Sequence, residues 1–211
     1  MRVVNQTAQE ADVQLARKLL AGSMEAFENF VAAYHDKVFR YSFAMCGQRE
    51  DAEEVAQETL MKVFENLDRL REPDRLKPWV FRIAKNECLM KRRKSVFAPR
   101  AEVSLDQLMP AKSGDGDGAK LEIADWSGLP DHLAMDAELH ERIRRGVHAL
   151  PETYRAVFLL RDIEGLSTEE AAEVLDVTTD LIKQRLHRGR LLLRKELDDY
   201  LRTAKGTAKP S

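Results

Sequence analysis

Apolar side chains fall at helical steps through both halves of the chain. Phe27, Phe30, Val31, Tyr34, Val38, Tyr41 and Met45 recur every three or four residues, which predicts an amphipathic helix with Ser23 as its N-cap and Gly47 at its end. A second helix is expected from about Glu50 to Leu70, with Ala52, Val55, Ala56, Leu60, Val63, Phe64 and Leu67 on one stripe. Arg71 to Pro78 reads as a charged loop, and a third helix should run from near Trp79 to about Lys94. Periodicity returns near Leu133, where Leu139, Ile143, Val147 and Leu150 share a face. Pro151 restarts the chain, since proline is tolerated in a first helical turn, and Val157, Leu160 and Ile163 extend the face to Gly165. Ser167 with Glu170 three residues later forms a capping-box pattern for a short helix. After Leu175-Asp176-Val177, a last helix capped by Thr178 or Thr179 should reach about Tyr200. Helix, tight turn, helix is the helix-turn-helix pattern.

The expected fold class is therefore all-α, with two small helical domains, the second a helix-turn-helix. Composition agrees: 26 Leu outnumber 14 Val and 5 Ile, a bias toward helix over sheet. No apolar run exceeds five residues, far below the ~18 of a membrane span. The opening MRVVNQTAQEAD lacks the apolar stretch of a signal peptide, so a cytoplasmic chain without membrane insertion is expected. Cys46 and Cys88 then read as core thiols.

The formal charge of −2 hides an uneven distribution. Residues 1–95 carry 17 Lys/Arg against 15 Asp/Glu, residues 96–138 carry 3 against 9, and residues 139–211 carry 14 against 12. Two mildly basic lobes flank an acidic connector that contains Ser113-Gly114-Asp115-Gly116-Asp117-Gly118 and reads as a flexible linker. The expected boundaries are 1–95, 96–132 for the linker, and 133–211. A calcium loop starting at Asp115 fails, because Lys120 and Trp126 stand where Gly and Glu are required.

Three constellations carry chemistry. Lys183, Arg185, Arg188, Arg190, Arg194 and Lys195 put six cations on the last helix, with Leu181, Ile182, Leu186 and Leu193 as its packing side. A solvated basic face would look the same, but the preceding short helix and turn favour DNA, with Thr178 to Gln184 aimed at base edges. Arg71 to Lys94 holds nine Lys/Arg against three acids, interleaved with Trp79 and Phe81. Such a surface can track a single strand and stack its bases, although Trp79 would also serve as a core residue. Glu50, Asp51, Glu53, Glu54 and Glu58 open the second helix, where the helix dipole favours them and where a basic protein surface could also dock.

The runs Asp51–Leu67, Lys77–Lys94 and Leu150–Leu197 resemble regions 2 and 4 of bacterial sigma-70 family factors of the extracytoplasmic function (ECF) group. The resemblance implies a dissociable initiation subunit of RNA polymerase, with no catalytic residues, metal or cofactor of its own. Asp51, Glu54, Gln57 and Glu58 become expected contacts to the clamp helices of the largest subunit of core RNA polymerase. Arg71, Arg75, Lys77, Trp79, Arg82, Lys85 and Asn86 fall where the family opens and reads the minus-10 element of promoter DNA. Thr178, Thr179, Asp180, Lys183, Gln184, Arg185, Arg188 and Arg190 fall where it binds the minus-35 element, with Lys183, Gln184 and Arg185 as base readers and Arg188 and Arg190 as phosphate contacts. The family's habit of pairing with regulators adds an anti-sigma factor to the expected partners. The chain departs from the family's usual Gly-Thr-Val-Lys start with Asp180-Leu181-Ile182-Lys183, and Asp176 replaces the turn glycine.

Two other classes fit the sequence less well. A stand-alone helix-turn-helix regulator is disfavoured by the modest charge. An enzyme is disfavoured because His140-Glu141 lacks the zinc-protease spacing and no phosphate loop is present.

Overall fold

The computed structural model describes the backbone of residues 2–94 and 137–207, and side chains over 10–93 and 141–198. The expected linker, 96–132, lies outside the described residues. The described backbone is helical, without strand, and no described helix is long and apolar enough to cross a membrane.

The first lobe holds α1 (Arg2–Leu20), α2 (Met24–Cys46), α3 (Arg49–Glu65) and α4 (Leu76–Lys94). Ser23 caps α2 by accepting a hydrogen bond from the Ala26 N–H at 3.2 Å. At the other end, Gly47 takes φ 82°, a left-handed C-cap that costs glycine nothing. Ala26, Phe30, Tyr34, Val38, Tyr41 and Met45 form the buried stripe of α2. Against it lie Ala52, Val55, Ala56, Leu60 and Val63 of α3, and Val80, Phe81, Ala84 and Cys88 of α4. Tyr41 meets Phe81 edge-to-face, ring centroids 5.5 Å apart. Cys46 and Cys88 are both free thiols. Cys88 is buried, as expected of a core thiol, whereas Cys46 is half-buried.

Three local features differ from expectation. Helix α1 was not foreseen, because its first half is largely polar in sequence; among its described side chains Leu15, Ala16 and Leu19 pack against the core. It packs on the 3₁₀ turn Pro73–Arg75 and so fixes the loop leading into α4. Helix α3 stops at Glu65, and Leu67–Arg69 continues as a 3₁₀ turn. Helix α4 starts at Leu76 rather than near Trp79: Pro78 sits in its first turn, where no intrahelical N–H is required.

The second lobe holds α5 (Ala137–Ala149), α6 (Glu152–Phe158), α7 (Thr168–Leu175) and α8 (Thr179–Thr207). A π turn, Leu159–Ile163, extends α6, and Glu164 N–H reaches back to Leu159 O at 2.8 Å. Ser167 and Glu170 make the expected capping box at α7. Ile182, Leu186, Leu193 and Leu197 of α8 pack into the core with Leu150, Val157, Leu160 and Leu166. Helix α8 runs seven residues beyond the Tyr200 end read from the sequence. At Gly146, α5 passes so close to α8 that an added methyl would lie 2.7 Å from Leu193 Cδ1.

The lobes are packed together, with α7 on α4 and the α5–α6 corner on α2. Phe81, with no exposed surface at the centre of the first lobe, should be its most costly truncation. Phe81→Ala is expected to lower stability by about 3–5 kcal/mol, read by urea denaturation, and a loss near zero would contradict this packing.

Candidate nucleic-acid and polymerase interfaces

Helix α8 divides cleanly. Ile182, Leu186, Gly189, Leu193 and Leu197 face inward, and Lys183, Gln184, His187 and Arg188 face solvent. Asp176 carries the turn before it, at φ 57° and ψ 50°, the only non-glycine at positive φ among the described residues. Its turn is closed by Val177 N–H donating to Ala172 O at 3.1 Å. Thr178 Oγ1 then accepts from Leu181 N–H at 3.3 Å, capping α8. The N-terminal end of α8 is left exposed, with Lys183 Nζ resting 3.2 Å from Asp180 Oδ1.

The basic residues of α8 are not equivalent. Arg190 forms a bidentate pair with Asp162 of the π turn, Nε to Oδ2 2.8 Å and Nη2 to Oδ1 2.6 Å, and these bonds raise its pKa. Two of its five N–H donors are therefore engaged inside the lobe. Arg188 is exposed, while Arg185 is half-buried beside the first lobe.

On the first lobe, Arg75, Trp79, Arg82 and Asn86 fall at steps of four, three and four, which is one stripe along α4 and the turn before it. Trp79 is half-buried against the core, with part of its ring exposed, so the stripe combines an aromatic plate with cations. Arg71 is exposed in the preceding loop. Lys77 is half-buried, and desolvation pulls its pKa below the ordinary lysine value. Its Nζ donates to the Glu164 carbonyl of the second lobe. Lys85 lines a cavity of about 150 Å³ between the lobes, and Arg185 lines the same cavity from the other side.

Glu54 and Glu58 of α3 line a groove formed with α4. Lys62, Glu87 and Lys91 line it too, together with buried Val55 and exposed Met90. Lys91 bridges Asp51, at 3.3 Å, and Glu54. Lys62 lies 2.7 Å from buried Glu87 and 3.5 Å from Glu58, and the Glu87 hydrogen bond raises its pKa. Gln57 is exposed on the same helix. The surface is thus an alternation of acids and tethered lysines rather than a bare acidic stripe. Among the described residues, no three side chains of metal-ligating type converge.

Two family models match this chain: Sigma-70 region 2 over residues 30–96, and Sigma-70 region 4 over residues 140–193. The ECF RNA polymerase sigma factor SigW of Bacillus subtilis (strain 168) is 30% identical over 185 residues, which is 87% of this chain and 95% of SigW. This chain is an ECF sigma factor of the sigma-70 family. The RNA polymerase sigma-H factor of Pseudomonas aeruginosa is 28% identical over 200 residues, 93% of this chain and 98% of that protein. The fold is also that of CnrH, solved in complex with the cytosolic domain of CnrY, at a TM-score of 0.59 and 24% identity over 90% of this chain and 98% of CnrH. As a sigma factor, the protein directs promoter-specific transcription initiation, and the stand-alone regulator gives way to that reading.

The contacts that join the lobes were invisible in the sequence. Glu173 of α7 faces Arg75 and Arg82, Arg92 pairs with Glu152, and Arg155 reaches Ala44 O at 2.8 Å. Their partners lie too far apart along the chain for spacing to reveal them. His187, on the exposed face of α8, was also passed over, although its step of four from Lys183 marks it.

A β-branched residue in the left-handed turn at 176 would strain the helix-turn-helix. Asp176→Val is expected to destabilise the chain by about 1–2 kcal/mol in thermal or urea unfolding, whereas Asp176→Gly should not, and equal behaviour of the two would contradict the observed turn.

Proposed function

We propose that this sigma factor engages core RNA polymerase through the α3–α4 groove and promoter DNA through two separate cationic faces. Glu54 and Glu58 in the groove, with Asp51 and Gln57 beside it on α3, contact the clamp helices of the largest polymerase subunit. The alternation of acids and tethered lysines supports a polar helix surface as partner, because such charge patterns steer and register an encounter more than they tighten it. Arg71, Arg75, Lys77, Trp79, Arg82, Lys85 and Asn86 form the minus-10 face. The single observation that carries this is the stripe Arg75, Trp79, Arg82, Asn86, which offers a stacking plate between phosphate-binding cations. An unstacked base extruded from the promoter can be read there on its edges, which duplex bases do not permit.

The minus-35 face comprises Thr178, Thr179, Asp180, Lys183, Gln184, Arg185, Arg188 and Arg190. Lys183, Gln184 and Arg185 stand in the first turns of α8 and read bases in a major groove, and Arg188 holds a phosphate. Arg190, bound to Asp162, has only its remaining N–H groups for a phosphate. The functional modules are residues 1–95 and 133–211, joined by the acidic segment 96–132. The protein works in the cytoplasm, without catalysis of its own. An anti-sigma protein is a further partner, a reading supported by the fold shared with the sigma factor RpoE of Bartonella quintana, which was solved with the anti-sigma factor NepR.

Purified chain should give run-off transcription from a cognate promoter only with core enzyme, and an equal footprint without core would refute the assignment. Arg185→Ala should weaken minus-35 recognition by about 1–3 kcal/mol, read as promoter competition, and unchanged preference would remove Arg185 from the base readers. Reversing Glu54 and Glu58 to lysine should reduce competition for core while preserving helical circular dichroism. Undiminished competition would dismiss the groove as a docking surface.

A further inference from the structure

The two cysteines of the chain, distant in sequence, meet in the fold. Cys46 ends α2, Cys88 stands in the C-terminal half of α4, and the two thiols share a hydrogen bond. The packing of α2 on α4 holds them together from both sides. Met45 and Cys88 line one cavity of about 150 Å³, while Lys91, three residues past Cys88, bridges Glu54 and, at 3.3 Å, Asp51 in the first turns of α3. Cys88 keeps only 2% of its surface exposed, whereas Cys46 is half-buried. Core packing accounts for Cys88, but not for a second thiol hydrogen-bonded to it and open to solvent. One reachable and one enclosed thiol in contact are the arrangement of an attacking and a resolving sulfur.

We propose that Cys46 and Cys88 form a reversible disulfide, made by hydrogen peroxide, that weakens binding of core polymerase. The effect on core rests on the assignment of the α3–α4 groove; the disulfide itself does not. The two sulfurs are electrostatically unlike. Donation from the Cys88 thiol, helped by Arg92 and Lys91, lowers the Cys46 pKa against the opposing effects of burial and Asp51. The same hydrogen bond and its deeper burial raise the pKa of Cys88, which keeps its proton. Cytosolic disulfides are as a rule transient, made and unmade by redox chemistry rather than kept as staples.

The reaction balances with peroxide alone. The Cys46 thiolate attacks one peroxide oxygen: the S–O bond forms, the O–O bond breaks, and the departing hydroxide takes up a proton and leaves as water. The Cys88 sulfur then attacks the sulfenic sulfur of Cys46. The S–S bond forms, the S–O bond breaks, and hydroxide leaves with the Cys88 proton as a second water. Two electrons have passed from the sulfur pair to the peroxide, and exchange with a dithiol returns them. The new bond reaches the groove through α4. Hydrogen-bonded sulfurs stand farther apart than bonded ones, so closure draws the end of α2 and α4 together. Lys91 lies one turn beyond Cys88, and Asp51 follows Cys46 across a short turn. Both move with the sulfurs, which changes the register in which Lys91 holds Asp51 and Glu54, two of the four acids and amides assigned to core.

The test uses the full chain, reduced, as wild type and Cys46→Ser, treated with hydrogen peroxide and then catalase, and competed for core polymerase before and after. Wild type should lose both free thiols while staying monomeric, and a non-reducing peptide map should join Cys46 to Cys88. Its competition for core should weaken about fivefold or more, the lower end of ordinary coupling between sites, and dithiothreitol should restore it. That recovery excludes damage to exposed Met90 in the groove, because methionine sulfoxide needs its own reductase. Cys46→Ser should compete as reduced wild type does and ignore peroxide, with unchanged helical circular dichroism. A Cys46 that stops at sulfinic acid or pairs between molecules would overturn the proposal. So would the same loss in Cys46→Ser, or a mapped disulfide that leaves competition unchanged. Reversing Glu54 and Glu58 in the reduced chain separates the two readings: undiminished competition there would sink the groove assignment, whereas the peptide map reports the thiol pair alone.

Discussion

The Arg155 guanidinium is the interaction on which the arrangement of this molecule depends. It donates to Ala44 O at 2.8 Å, to His148 O at 2.6 Å and to Leu150 O at 2.8 Å. The first carbonyl belongs to the last turn of α2, where helix carbonyls lack intrahelical partners and the dipole is negative. The other two close α5. One half-buried cation therefore satisfies helix ends from both lobes, and desolvation lowers its pKa. Removing it would leave carbonyls in a low-dielectric seam without donors, which is costly, whereas adding apolar surface could not replace their direction.

Given that seam, the outward and inward faces of the first lobe acquire different roles. The α3–α4 groove stays on the surface, with Lys62 and Lys91 holding its acids in place. Arg75 and Arg82 of the α4 stripe face Glu173 of α7 while staying about half exposed, and Arg185 lines the crevice between the lobes. The modest net charge of −2 fits the proposed dependence on core polymerase, since a chain that does not bind DNA by itself has no use for a strong basic excess.

Much of the fold was legible because its boundaries are set by local chemistry. Ser23, Gly47 and the Ser167–Glu170 capping box announce helix ends through hydrogen bonds made within a few residues. The left-handed Asp176 was legible only through the family resemblance, which puts a turn glycine at that position. Helix α1 was not, since half of it is polar and its stability comes from packing on the Pro73–Arg75 turn rather than from its own pattern. The start of α4 was misjudged because a proline three residues into a helix looks in sequence like a loop proline. Among the site residues, the sequence reveals which carry charge and which share a helical face. It does not reveal that Arg190 is engaged with Asp162, or that Arg75 lies 3.3 Å from a carboxylate 98 positions away.

On the proposed function, core polymerase sits on the α3–α4 groove of the first lobe. Hydrogen–deuterium exchange of the chain alone and bound to core tests this most directly. On binding core, amides of α3 and of the facing part of α4 should gain protection. An α3 that exchanges identically in the two states would contradict docking through the groove.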